Sequence, residues 1–202
     1  MAIKFQYNKT SLQDLEKNLK MRVRTLPTSK NKESALRMEV KKSKDEAKDL
    51  EKKLEQEISA YDNMMALWSE FNPSMINVKD VELNVRKIAG VRVPVLTNIE
   101  FEVPPFSLFS SPKWYLDGIV ILQRMARTAI ERDFTDMKLH LLETARKKTT
   151  QKVNLFEKVQ IPGYQDAIRK IKRFMEDEEN LSKSSQKIMR AQQEKRKEVQ
   201  SW

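Results

Sequence analysis

His140 is the only histidine in the 202-residue chain, and the sequence holds no cysteine to share a metal with it. A Ser-His-Asp relay or a His-based metal centre needs a positioned constellation around the ring, so a lone histidine predicts a helix flank. The run Glu176-Asp177-Glu178-Glu179 offers four carboxylates, but successive helical residues point around the axis rather than at one ion. Phosphate cradles are excluded by spacing. The three glycines are Gly90, Gly118 and Gly163, so neither a G-x-x-x-x-G-K loop nor a G-x-G-x-x-G turn can be written. No catalytic, cofactor or metal residue is assigned, and the chemistry left to the chain is that of binding.

The charged and aromatic residues that could bind are unevenly placed. Of the net charge of +10, residues 1–30 carry seven Lys/Arg against two acids and residues 181–202 six against two, leaving 26 against 25 for the rest. Lys9, Lys17, Lys20, Lys195, Arg196 and Lys197 mark the two basic ends. Trp68, Trp114 and Trp202, with Phe71, Phe106 and Phe109, form the aromatic complement, read either as core or as anchors for a partner.

Long helices must position these groups. No glycine occurs before Gly90, and an alternating three-and-four step from Leu12 to Phe71 meets apolar residues at 13 of 18 positions, the exceptions being Arg22, Ser29, Glu33, Ser43 and Glu57. A mean period of 3.5 keeps one seam facing a partner helix, which is the coiled-coil pattern. Residues 72–112 hold five of the seven prolines and break the register. Inside that insert, Val81, Leu83 and Val85 alternate with polar residues, as do Val91, Val93 and Val95 beyond Gly90, predicting a β-hairpin over about 81–95. A second amphipathic arm follows, with Ile119, Leu122, Ala126, Ile130, Phe134, Met137 and Leu141, then Ile168, Ile171, Phe174, Leu181 and Ile188.

The fold expected is therefore all-α dominated. It is a long antiparallel two-helix coiled coil formed by the N- and C-terminal arms, with a small β-hairpin-containing head in the middle of the chain. The expected organisation is a single elongated domain, 1–202, comprising an N-terminal helix over 9–71, a head over 72–112 and a C-terminal helix over 113–200. Pro27 and Pro162 predict a kink or restart in each arm, because proline removes a backbone donor and clashes with the preceding turn. Folding the arms together would join both basic ends at one tip. The hairpin, through Val85, Ile88, Val91 and Val93, is expected to reach toward a partner rather than to fill a core. No stretch approaches the roughly 18 apolar residues of a membrane span, and no signal peptide is legible in MAIKFQYNKT.

The stretch from Lys147 to Gly163 resembles the K-T-x-R-x-V-N-A-L-E-x-V-x-I-P motif of the D subunit of V-type and archaeal-type ATPases and ATP synthases. Lys148, Thr149, Val153, Asn154, Leu155 or Phe156, Glu157, Val159, Ile161 and Pro162 match it in order. Thr10 with Leu12, Leu15 and Leu19, the segment Lys30–Leu36, and the turn Gly90-Val91-Arg92-Val93-Pro94 resemble other parts of that family. The likeness extends over nearly the whole chain.

The resemblance implies a non-catalytic central rotor shaft that couples ATP turnover to ion flow. Its implied partners are a hexameric ring of catalytic and regulatory subunits (A and B type), the small F subunit of the stalk, and the funnel-like C subunit on which the shaft docks above the membrane rotor. It also implies a cytoplasmic place, peripheral on the inner face of the cell membrane, with no direct membrane insertion and no nucleic acid. Under it, the six basic end residues would meet the ring, and the hairpin residues the stalk partners. The alternative reading is a basic nucleic-acid-binding or generic scaffold coiled coil, motivated by a pI near 9.6; no zinc finger, basic zipper or RNA-recognition motif supports it.

Overall fold

The computed structural model describes residues 3–64, 68–107, 109 and 111–200. It contains a long helix α1, Lys9–Ser59; a two-stranded antiparallel sheet of β1, Asn77–Ile88, and β2, Val91–Glu102; and a second helical arm. That arm comprises α2, Tyr115–Asn154, a π-helical segment Leu155–Gln160, and α3, Ile161–Gln200. The chain forms two compact units, residues 1–31 with 150–202, and residues 32–149.

Asn8 starts α1. Its side-chain oxygen accepts the Ser11 backbone N–H at 2.7 Å, satisfying one of the donors that a helix start leaves open. Every seam position from Leu12 to Tyr61 is buried or half-buried, including the five that are not apolar. The helix ends at Ser59 rather than near 71, giving way to the 3-10 turn Asp62–Met64. Asp62 and Asn63 there favour local side-chain hydrogen bonds over helical continuation. Neither proline restarts its arm: Pro27 lies inside the unbroken α1, and Pro162 follows a widened turn in which the Ile161 N–H donates to the Phe156 carbonyl, five residues back. A π-turn is one way a helical arm absorbs a residue that cannot keep the regular ladder.

In the first unit Leu15, Ala167, Ile168 and Ile171 form the core, with Ile3, Phe5, Leu12, Leu19, Tyr164 and Met175 packed around it. Ion pairs Glu16–Lys172 at 2.8 Å and Lys30–Glu157 at 2.7 Å show the arms of this pair running antiparallel: as the α1 number rises, the partner number falls.

In the second unit Leu36, Val40, Val93 and Leu142 are the core. Glu46–Lys138 at 3.0 Å and the Arg124–Tyr61 hydroxyl contact at 2.6 Å again give antiparallel helices. The buried line of α2 follows Ile119, Thr128 and Leu142. Met137 and Leu141, expected on the seam, are exposed, because four-residue steps from Phe134 carry the inward face to Lys138 and Leu142.

The hairpin is longer than the expected 81–95. Its turn is Ala89-Gly90, with φ of 48° and 80°, between the paired Ile88 and Val91. Two central residues at positive φ match the right-handed twist of the flanking strands. Pro94 sits opposite Val85, tolerated because each strand of a two-stranded sheet has a free edge.

Candidate functional site

The six basic end residues all lie in the first unit and do not converge. Lys9, Lys17 and Lys20 are exposed on the opening turns of α1, and Lys195, Arg196 and Lys197 are exposed on α3. Lys172 pairs with Glu16, and Lys195 stands twenty-three residues further along the same helix, roughly 35 Å at about 1.5 Å per residue. The expected common tip is thus two separate basic bands. The reason is a mismatch of lengths: α1 begins at Lys9, while α3 continues to Gln200.

That overhang is exposed from Glu176 through Lys197, with Leu181 at 69% and Ile188 at 60% exposure, so the expected apolar stripe there has no partner among the described residues. Phe174 is half covered, touching Tyr7 at 4.9 Å between ring centres. The acid run 176–179 faces solvent; the Lys183 ammonium holds the Glu179 carboxyl below its usual range by hydrogen bonding and charge. Asp166 is likewise held low, first by a hydrogen bond from Lys170 and then by one from Arg169.

The motif residues divide by face. Val153 and Phe156 are buried, Ile161 is half-buried, and Lys148, Asn154, Glu157 and Pro162 are exposed. The Thr149 hydroxyl donates to the Ala145 carbonyl at 2.8 Å. Glu157 reaches across to Lys30, and the Arg22 guanidinium lies 4.6 Å from the centre of the Phe156 ring, with the Lys152 ammonium at 5.6 Å. The Arg22–Phe156 pairing was not legible in one dimension. Its one signal was that Arg22 is the only basic residue on the seam.

The hairpin departs from its expected role as a free reaching arm. Val93 is fully buried against the helices, and Ile88 and Val91 pack beside it. Of the four expected contact residues only Val85, at 61% exposure, is open; Leu83 and Val78 on β1 and Val95 on β2 are exposed as well. Burying β2 removes one of the two apolar faces of the sheet from water, which a two-stranded ribbon needs to be stable.

Trp68, Phe71, Trp114 and Tyr115 pack on one another with ring centres 5.0 to 6.0 Å apart. Beside them a cavity of about 370 Å³ is lined by Ile58, Tyr61, Asp62, Trp68, Phe71, Leu122 and Met125. Phe106 is half-buried and Phe109 fully exposed, while Trp202 lies outside the described residues. His140 is exposed. Among the described residues no helix is long and apolar enough to cross a membrane, and no group of three or more His, Asp or Glu could hold a metal.

The family model for the D subunit of ATP synthase matches residues 11–191. A V-type ATP synthase D subunit of Borreliella burgdorferi is 35% identical over 193 residues, covering 93% of this chain and 94% of the relative. The protein of the same name from Chlamydia trachomatis serovar L2 is 29% identical over 88% of this chain and 90% of its own length. That of Chlamydia pneumoniae is 25% identical over 88% and 87%. Helices, hairpin and motif therefore fall within matched sequence from Leu12 through the buried core of both units, and the chain belongs to the family of ATP synthase D subunits.

Proposed function

We propose that the chain is the non-catalytic central-stalk component of a V-type ATP synthase, a shaft that transmits torque between a catalytic ring and the membrane ion-translocating rotor. The observation that carries this reading is α1: 51 residues of unbroken helix, paired antiparallel with the second arm in each unit. Torque needs a member that resists twisting; α1 has no glycine, and the two glycines of the second arm, Gly118 and Gly163, fall in the first turns of α2 and α3, so little is lost to local bending.

The proposed partners are the A- and B-type subunits of the ring, the small F subunit and the funnel-like C subunit, with the complex peripheral on the inner face of the cell membrane. Lys9, Lys17 and Lys20 would form one ring-facing band, and Lys195, Arg196 and Lys197 another. Long, unbranched cationic side chains make adaptable contacts suited to a sliding bearing. On the hairpin, the open residues Val85 and Leu83 are the proposed stalk contacts, since Val93 is spent on the core.

Reconstitution with the ring tests the reading. The chain should co-purify with the hexamer and support rotation, and neutralising both basic bands should change the salt dependence of ATP hydrolysis. Failure to bind the ring, or unchanged turnover at low and high salt in the neutralised variant, counts against it.

A further inference from the structure

Phe174, Leu181 and Ile188 recur at intervals of seven residues on α3. A heptad repeat is the mark of a helix seam that expects a facing helix. Phe174 is the last of the three with a neighbour, the ring of Tyr7. The first turn of α1, at Leu12, still lies beside Met175, Glu176 and Glu179, but the segment before Lys9 does not extend the pairing further: Ile3 packs at Gly163 and Phe5 in the Leu15–Ile168 core. Leu181, Ile188 and Met189 are thus 60 to 69% exposed on a helical extension of more than twenty residues. Isolated helices of this length are marginal in water without a packed face.

Charge along the extension is sorted. Residues 176–179 are four acids in succession, while Lys183, Lys187, Arg190, Lys195, Arg196 and Lys197 follow, with Glu194 and Glu198 the only later acids. Within the chain, Glu179 pairs with Lys183 at 2.7 Å. A helix acidic at one end and basic at the other is complementary to an inverted copy of itself. A parallel copy would set acid against acid, which is destabilising.

We propose that the free chain forms an antiparallel dimer through residues 174–197, the partner being a second copy of this chain. In that arrangement the two-fold axis passes between Ser184 and Ser185, whose small side chains let the helices approach. Leu181 of one copy packs on Ile188 of the other in two symmetric layers. The acidic turn 176–179 lies level with residues 193–190, so that Glu179 meets Arg190, while Lys195, Arg196 and Lys197, level with residues 174–172, stand about a turn beyond the acids. This surface overlaps the basic band proposed to face the ring, so self-pairing belongs to the free chain and is displaced when the ring is entered.

Sedimentation velocity on the full chain across a concentration series tests this without any ring component, so its outcome is independent of the rotor reading. A monomer–dimer equilibrium that weakens as salt rises is expected. Leu181→Asp with Ile188→Asp should weaken the dimer about tenfold or more, and so should E176K/D177K/E178K alone. Adding K195E/R196E/K197E to that reversed set should restore it, with circular dichroism confirming intact helices in each variant. A wild-type chain that stays monomeric, or a dimer indifferent to both the apolar and the charge-reversed variants, overturns the proposal. A reversed set that is not rescued by the second reversal overturns the antiparallel register.

Discussion

The Arg22 guanidinium lies 4.6 Å from the centre of the Phe156 ring, joining the one cationic seam position in the first half of α1 to the π-helical turn of the opposite arm. Both residues are withdrawn from solvent, Phe156 to 4% exposure, and the ring covers a charge that would otherwise face apolar neighbours. Truncating Phe156 to Ala should cost about 3 to 5 kcal/mol through the cavity and the lost contact, and Phe156→Leu markedly less. Urea unfolding followed by circular dichroism measures the difference; equal losses for the two variants would remove the ring contact from the account.

Ser43 is fully buried on the seam of the second unit, and its hydroxyl has no hydrogen-bond partner. Burying an unsatisfied hydroxyl costs about 1 to 3 kcal/mol. Ser43→Ala should therefore raise the stability of residues 32–149 by about 1 kcal/mol, read as a higher urea midpoint with unchanged slope. A lower midpoint would mean the hydroxyl is satisfied in solution.

Gly90 takes φ of +80° in the hairpin turn, and a Cβ there would meet the Lys32 ammonium at 3.4 Å. A β-branched residue is strained at positive φ. Gly90→Val should destabilise the hairpin by about 1 to 2 kcal/mol and speed amide exchange in β1 and β2, while leaving exchange in α3 unaltered. Uniform change across both units would contradict a local effect.

Lys30 and Glu157 are about half exposed at 2.7 Å. Water screens such a pair, so a double-mutant cycle should return less than about 1 kcal/mol of coupling. If Glu157→Gln nevertheless lowers ATP-driven rotation in the reconstituted complex, the carboxylate acts in the assembly rather than in folding.

Asp166 is held below its ordinary value of 3.8 by hydrogen bonds from Lys170 and Arg169. For a depressed carboxyl, the stabilising contribution is present above the unfolded value and is lost as pH falls through the folded one. Acidification below the usual aspartate range should therefore weaken the first turns of α3, and Asp166→Asn should remove that part of the acid sensitivity. Following the helical signal of both proteins from neutral pH downward checks the sign.

Periodicity determined much of this protein before any tertiary contact was known. The Leu12–Tyr61 seam is inward along its whole length, because a 3.5-residue repeat permits only one line of contact on a helix. The hairpin was legible for a similar reason, since alternation on either side of Ala89-Gly90 admits a tight turn and little else. The motif from Lys148 to Pro162 announced the family, but not that its buried half, Val153 and Phe156, packs while its exposed half, including Glu157, pairs across the arms. Tertiary structure alone decided where the arms begin and end against each other. One-dimensional patterns carry no offset between distant segments, so the basic ends looked joined until α1 proved to start well short of Lys195. The same ignorance of offset hid the burial of Val93 and the meeting of Arg22 with Phe156. Both depend on how two elements are registered in space, which only packing sets.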